Sequence, residues 1–443
     1  MTAASLTGES TAIELAAKIA AGKLTSVEAT EAAITRIEIL DEAINAVVVR
    51  DFDRARQQAR DADARLAKGE RAPLLGVPMT VKESFNIAGL PTTWGIESAA
   101  GNIVDEDAAV VKRLKKAGAV ILGKTNVPPM LADTFSENPI YGRTNNPHSH
   151  GHSPGGSSGG AAAAVASGMV ALEYGSDIGG SIRVPAHYCG IWGHKPTYGV
   201  VSMEGHFMPA PEQGADRPLS AVGPLARSAD DLELLLDITL DQPLGKNTVA
   251  IKDAHILLMT DHPVSIISDD LRNRMEHVAA LLEDAGAQIT RSSDLLPDLV
   301  QQHRDYLQML NIVMTAGAPR PDGTEVTAQD WFTLLDAQTR NQRHWRSVFE
   351  EFDYILAPPS STPAFAHDTT PMRDRRIMIN GDDHAAAKQL AWAGLATFPG
   401  LPSTVLPIGM VDDLPVGMQV ITDRYQDYKA IDGARQIGAL LGG

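Results

Sequence analysis

The chain contains 443 residues, and its 38 lysines and arginines against 55 aspartates and glutamates give a formal net charge of −17 at pH 7. This excess of negative charge disfavours nucleic acid and anionic membranes as direct partners. Cys189 is the single cysteine, so no intramolecular disulfide can form, and its neighbours indicate a buried packing thiol. The first residues lack a signal-peptide pattern, and the longest apolar run, 161–172, is too short to span a bilayer. A cytoplasmic globular protein is therefore expected.

The first seventy residues are predicted to be helical. Thr25 and Glu28 have the spacing of a capping box that opens a helix to about Leu40, and a second helix is expected from about Phe52 to Lys68. The next elements are expected as a strand over 76–81, a helix over 107–117, a strand over 119–122, a helix over 160–168 and a strand over 170–174. A strand over 254–259, a helix over 270–285 and a strand over 288–290 follow, and residues 291–350 are expected to be mainly helical. The chain is expected to end with strands over 354–357, 403–406 and 416–421 and a terminal helix.

This alternation of strands and helices predicts an α/β fold. We expect a single large α/β/α domain over residues 1–443, with a mixed, mostly parallel central sheet covered by helices on both faces. Within it we expect an N-terminal helical segment (1–70), a core with the catalytic motifs (about 71–240), a more variable and largely helical pocket region (about 241–350) and a C-terminal completion of the core (351–443).

Two serines, Ser157 and Ser181, each lie in a glycine-dense turn. Glycine permits positive φ and close approach to the backbone, so amide groups in such turns can face an anion. A serine placed there can act as a nucleophile beside an oxyanion site. Lys82 follows an apolar strand, where it either snorkels to water or is buried. A buried lysine has a lowered pKa and can serve as a base, so the three residues together favour acyl-transfer chemistry.

Other patterns match known motifs in unsuitable surroundings. Gly118–Thr125 satisfies the phosphate-binding P-loop pattern, but its variable positions are typical of a strand and prolines follow it. Gly155–Gly159 satisfies the nucleophile elbow of α/β-hydrolases, but no strand precedes it. His148, His150 and His152 alternate on a loop without nearby cysteine or acidic ligands, so polar loop residues are expected there instead of a metal site.

Five segments together resemble the amidase signature family of serine hydrolases. They occur in that family's order and are Gly76–Lys82, Gly123–Asn126, Ser153–Gly160, Asp177–Arg183 and Lys195–Thr197. The resemblance implies that Ser181 is the nucleophile that forms an acyl-enzyme. It also implies that Ser157, after a cis peptide bond to Gly156, relays a proton to Lys82.

The resemblance implies further site residues as well. The backbone amides of Ile178, Gly179, Gly180 and Ser181 would form the oxyanion hole. Leu131 occupies a position that lines the substrate pocket in the family. Asp177 and Arg183 would brace the turn without reacting.

The expected function is hydrolysis of a small-molecule amide through an acyl-Ser181 intermediate, without cofactor or metal. Esters, anilides and carbamates are additional candidate substrates, since the same oxyanion chemistry serves each. A homodimer is a candidate assembly. The alternative is the amidase-like component of a tRNA-dependent amidotransferase, which generates ammonia from glutamine. Glu83-Ser84 after the lysine departs from the Asp-Asn usual in such components. Residues 291–350 are expected to shape the pocket.

Overall fold

A mixed eight-stranded sheet forms the centre of the computed structural model, which describes residues 10–209, 216–320 and 322–442. The strands are β1 Val47–Arg50, β2 Pro78–Lys82, β3 Val120–Thr125, β4 Glu137–Asn138, β5 Gly142–Arg143, β6 Leu172–Asp177, β7 Trp192–Lys195, β8 Ala221–Ala226, β9 His255–Leu258, β10 Gln288–Thr290, β11 Tyr354–Ala357, β12 Arg376–Ile379, β13 Asp382–Ala385, β14 Ser403–Val411 and β15 Leu414–Ile421. The eight central strands follow the order β10-β9-β11-β15-β14-β7-β8-β6.

Twelve α-helices accompany these strands in the described ranges. They are α1 Ala12–Ala20, α2 Ser26–Ile44, α3 Phe52–Ala67, α4 Ala109–Lys116, α5 Gly159–Ala166, α6 Arg183–Cys189, α7 Ala229–Thr239, α8 Asp269–Asp284, α9 Leu299–Met314, α10 Ala328–Glu351, α11 Leu390–Thr397 and α12 Asp427–Leu440. The predicted capping box is confirmed, because Thr25 and Glu28 exchange both hydrogen bonds at the start of α2. The long helices α9 and α10 confirm the mainly helical prediction for 291–350.

The predicted α/β class and mixed sheet are confirmed, but the expectation of mostly parallel strands is wrong. Only the β10–β9 and β9–β11 pairs are parallel, and the other five pairs of the central sheet are antiparallel. The strand after a helix does not return beside its predecessor: β8 pairs with both β6 and β7 and separates them. Strands β14 and β15 form a hairpin, which is antiparallel by construction.

Helices cover both faces of the central sheet, as predicted. Neighbouring side chains on a strand point to opposite faces. On β14, Val405 belongs to the same buried cluster as Ile182 and Ala186, at the start of α6. The next residue, Leu406, lies toward Gly438 of α12. The two helices therefore pack on opposite sides.

A smaller sheet brings Lys82 close to the end of β6. It has the order β1-β3-β2, with β2 parallel to β3 and Lys82 opposite Thr125. Strand β2 lies beside β6, at the edge of the central sheet. The Thr125 hydroxyl donates a hydrogen bond of 2.7 Å to Glu173 Oε1 on β6. Segments that lie far apart in sequence therefore end at a common site.

No helix in the described ranges combines the length and apolar character needed to cross a membrane.

Candidate active site

Lys82, the last residue of β2, is completely buried. Its Nζ lies 2.7 Å from Ser157 Oγ and 2.9 Å from both Ser158 Oγ and Ser176 Oγ. Burial lowers the pKa of Lys82 to about 7, although the negative charges of Asp177 and Glu173 oppose this shift. The snorkelling alternative is therefore wrong. Near neutral pH the amine is available in its uncharged form, in contact with the Ser157 hydroxyl.

The turn that carries Ser157 requires glycine. The peptide bond between Gly156 and Ser157 is cis. A Cβ on Gly156 would lie 2.3 Å from the Asp133 carbonyl oxygen, and a Cβ on Gly160 would lie 2.3 Å from the Asn126 nitrogen. No other residue fits so close to a neighbouring backbone. The glycine-rich sequence thus lets α5 start immediately after Ser157, packed against the β3 end of the small sheet.

Asp177 braces the turn that carries Ser181. Its Oδ1 accepts a hydrogen bond from the Gly180 amide at 2.9 Å, and its Oδ2 accepts one from the Ile182 amide at 3.0 Å. Arg183 donates to both carboxylate oxygens, at 2.9 and 3.0 Å. Burial would raise the pKa of Asp177, but Arg183 and the amides hold it at about 2. The bracing predicted for Asp177 and Arg183 is present.

Three backbone amides of this turn can receive an oxyanion. Within the described ranges, the N–H groups of Ile178, Gly179 and Ser181 have no hydrogen-bond partner. The Gly180 N–H is bonded to Asp177 at 2.9 Å, and its expected place in the oxyanion hole stays a prediction. Gly180 also serves the turn through its φ of 95°. The Ser181 carbonyl accepts a hydrogen bond of 3.2 Å from the Ser158 amide, so the two serine turns are in direct contact.

A pocket with about 570 Å³ of empty space lies against both serines. Its lining combines four methionines with other apolar side chains and a few polar ones: Trp94, Met130, Leu131, Ser157, Ser176, Asp177, Ile178, Ser181, Met203, His206, Met208, Arg217, Ser220, Val313 and Met314. Leu131 is among them, at its expected position. Val313 and Met314 come from the end of α9, inside the 291–350 stretch.

Several site features lacked a signal in the sequence. Ser158 and Ser176 contact the Lys82 amine only because α5 and β6 converge on β2. Trp94, Met130 and Leu131 line the pocket with left-handed backbones, at φ of 54°, 56° and 59°. Bulky residues rarely adopt this conformation, so no propensity rule predicts it.

The P-loop pattern does not form a phosphate site. Residues 120–125 are strand β3, and the buried Lys124 amine donates to the Thr92 hydroxyl at 2.9 Å. The elbow interpretation also fails, since no strand leads directly into Ser157.

The histidine loop and the cysteine have ordinary structural partners. His148 Nε2 lies 3.0 Å from the Cys189 carbonyl oxygen, and His152 Nδ1 lies 2.8 Å from Ser149 Oγ. No group of three potential metal ligands occurs within the described ranges. Cys189 is fully buried, and burial raises the pKa of its thiol, as a packing role requires.

The chain is similar to known proteins over most of its length. The model of the Amidase family matches residues 28–318 and 303–431. The amidase-family protein AmiB2 of Mycobacterium tuberculosis is 47% identical, over 95% of this chain and 93% of that protein. Indoleacetamide hydrolase of Bradyrhizobium diazoefficiens is 32% identical, over 96% and 85%. A glutamyl-tRNA(Gln) amidotransferase component from Roseiflexus castenholzii is 31% identical, over 91% and 90%. A solved fatty acid amide hydrolase has a TM-score of 0.87 and 25% identity, covering 100% of this chain and 87% of that one.

Proposed function

The chain belongs to the amidase family, whose enzymes hydrolyse carbon–nitrogen bonds of amides, and we propose that it hydrolyses small apolar carboxylic amides through an acyl-Ser181 intermediate. The observation that carries the proposal is the 2.7 Å contact between the buried Lys82 amine and Ser157 Oγ, beside a pocket that also contains Ser181.

In the proposed mechanism, uncharged Lys82 accepts the proton of Ser157, which in turn takes the proton of Ser181. Ser181 Oγ then bonds to the substrate carbonyl carbon, and the amides of Ile178, Gly179 and Ser181 stabilise the oxyanion. The proton returns through Ser157 to the leaving nitrogen as the carbon–nitrogen bond breaks. Water, activated by the same relay, hydrolyses the acyl-enzyme and restores the starting state.

The pocket lining supports an apolar acyl group as the substrate. Methionines form adaptable walls for ligands of varied shape, and an aromatic side chain, Trp94, lies among them. A mainly apolar lining with a few polar groups suits a small organic molecule. Esters, anilides and carbamates with similar acyl groups are candidate substrates of the same site.

The alternative, ammonia production from glutamine, receives less support from this lining. A glutamine site needs a partner for the substrate ammonium. The one acidic side chain that lines the pocket in the described ranges is Asp177, which is already engaged by Arg183 and turn amides.

A fluorophosphonate probe with peptide mapping tests the assignment of roles. We expect the adduct on Ser181, and we expect Ser181→Ala to lose both labelling and amide turnover while keeping its melting temperature. A screen of alkyl amides, aryl amides, esters and carbamates, without ATP or a partner, should give turnover with apolar acyl groups. An adduct on Ser157 or Ser158, or glutamine as the single substrate, would contradict the proposal.

A further inference from the structure

Glu173 is a fully buried carboxyl group on β6. Its Oε1 accepts a hydrogen bond from the Thr125 hydroxyl, and its Oε2 accepts one from the Tyr174 amide, both at 2.7 Å. These neutral donors satisfy the carboxylate oxygens but do not balance a charge. Within the described ranges, Lys82 is the cation that acts on Glu173. Burying a carboxylate without a directly bonded cation is costly.

Glu173 and Lys82 are close because of strand pairing. Lys82 lies opposite Thr125 in the β2–β3 pair, and the side chain of Thr125 contacts Glu173 directly. Strand β6 also supplies Ser176, whose hydroxyl lies 2.9 Å from the Lys82 amine. The carboxyl group and the amine therefore occupy one dry region between β2 and β6, where a charge acts strongly.

The other charged or titratable groups near Lys82 are bonded to other partners. Asp177, also on β6, is held by Arg183 in a buried ion pair of 2.9 Å. His206 bonds to the Ser84 hydroxyl at 3.0 Å through Nε2, and burial lowers its pKa to about 3, so it is uncharged at neutral pH. Helix α5 and the turn before it contribute the hydroxyls of Ser157 and Ser158, which do not titrate. Glu173 remains as the carboxyl group whose ionisation can change together with that of Lys82.

We propose that Glu173 is a positioning residue for catalysis, whose negative charge stabilises the protonated form of Lys82 and so helps to set the pH range over which that base is uncharged. The inference rests on the proposed function, in which Lys82 takes the proton of Ser157. As Ser181 attacks, positive charge develops on Lys82, and the ionised Glu173 stabilises it across the strand pair. When the proton leaves with the amine product, the pair returns to its starting state.

The pKa values of the two groups support this electrostatic coupling. Burial raises the pKa of Glu173 to about 7, and burial lowers the pKa of Lys82 to about 7. Each group opposes the shift of the other, since opposite charges favour the ionised pair. A change in the charge of one group therefore changes the proton affinity of the other.

The test is the pH dependence of the rate at which a fluorophosphonate labels Ser181 in the full-length protein. Labelling requires uncharged Lys82, so the rate falls on the acid side. Glu173→Gln removes a negative charge and lowers the pKa of Lys82. We therefore expect the acid limb to move to lower pH by about one unit. We also expect the plateau rate to fall by about tenfold, because the base is weaker.

Glu83→Gln is the matched control. Glu83 is another fully buried carboxylate, next to Lys82 in sequence, but it bonds to Thr93 and the Trp94 amide, and its charge acts on Lys124. Its acid limb should stay at the wild-type pH. A folded Glu173→Gln protein with an unmoved limb, or an equal shift in Glu83→Gln, would overturn the role of Glu173.

If Glu173→Gln does not fold, Thr125→Val is the second variant. It removes a hydrogen bond that favours the ionised carboxylate, so it should move the acid limb in the same direction by a smaller amount, and an unmoved limb would count against the inference. Wild-type protein that fails to label at Ser181 would instead reject the proposed function itself, which separates the two failures.

Discussion

The Lys82 amine has three hydroxyl neighbours, and this number constrains its chemistry. An uncharged amine has two N–H donors and one lone pair, so it accepts from one hydroxyl and donates to the other two. The shortest contact, 2.7 Å, is to Ser157. A hydroxyl that donates to the lysine from this position is ready to pass its proton on. The charged form would have three donors and no acceptor site.

The first residue-scale prediction concerns Lys82→Met. Because the base must be uncharged, we expect kcat/KM of the wild type to fall about tenfold per pH unit below pH 7. Lys82→Met should lower kcat by about 10³-fold and remove this limb. Both profiles are measured with one neutral amide substrate.

Lys124→Met provides the control for losing a buried lysine. Lys124 is equally buried, and burial lowers its pKa to about 8, but its amine contacts Thr92 instead of a site serine. This variant should keep the acid limb of the wild type. A Lys82→Met enzyme with wild-type kcat would remove the lysine from the mechanism.

At the scale of elements, the start of α5 determines where Ser157 lies. Gly160 packs its Cα against the backbone of Asn126, which follows β3. The helix, the small sheet and the relay serine are therefore fixed by one contact between two backbones. Any side chain at this position must push α5 away from β3.

Gly160→Ala should therefore reduce both stability and activity. We expect a loss of about 2 kcal/mol in the free energy of unfolding, since overpacking outweighs the better helix propensity of alanine. We also expect a lower kcat, because Ser157 moves relative to Lys82. Denaturant titration and amide turnover measure the two effects.

Gly151→Ala is the paired control for this change. A Cβ on Gly151 would have no atom within 4 Å, so the substitution should change stability by less than about 0.5 kcal/mol. Equal stability of the two alanine variants would show that the contact with Asn126 has no energetic weight.

The elements also mark how far the sequence predicts this protein. The capping box of α2 and the apolar strands β2 and β3 were predictable, because local pattern determines them. Strand β8 was missed, since Pro224 lies within it and proline argues against a strand in a sheet interior. The predicted strand directions were wrong because strand pairing depends on contacts between distant segments.

The candidate site likewise contains residues that the sequence predicted and contacts that it did not. Ser157 and Ser181 were identifiable from glycine-rich motifs and Lys82 from its position after an apolar strand. The structure places all three around one pocket or its buried edge. The contacts of Ser176 and Glu173 were not predictable, because they depend on β6 lying beside β2. A local motif identifies the candidate reactive side chains, whereas the adjacency of strands determines which charged groups surround them.

At the scale of the whole molecule, α9 connects the pocket wall to the turn that carries Ser181. Tyr306 on α9 is fully buried, and its hydroxyl donates a hydrogen bond of 2.9 Å to the Ile178 carbonyl oxygen. Further along the same helix, Val313 and Met314 line the pocket. The docking of one helix therefore positions both one side of the pocket and the turn of the proposed oxyanion hole.

Tyr306→Phe should weaken this connection without a cavity. We expect a loss of about 1 kcal/mol in the free energy of unfolding from the missing hydrogen bond. We also expect kcat/KM to fall by about tenfold, because the turn is held less accurately. Thermal unfolding and turnover of an apolar amide check these values.

Tyr354→Phe tests whether the activity loss is specific. The Tyr354 hydroxyl makes a similar hydrogen bond of 3.0 Å to the Val249 carbonyl oxygen, away from the pocket. We expect a comparable loss of stability with wild-type turnover. An equal loss of activity in both variants would mean that Tyr306 acts through general stability alone.

One side of the pocket wall lies far in sequence from the proposed reactive groups, and this separation has an evolutionary consequence. The lysine and both serines come from residues 82–181, whereas the wall at Val313 and Met314 comes from a distant helix. Substitution at these two positions can therefore change the proposed acyl preference while leaving the proposed proton relay in place. A directed-evolution library confined to Val313 and Met314, which keeps the Tyr306 hydrogen bond to the Ile178 carbonyl, would sample new substrates at little risk to the proposed chemistry.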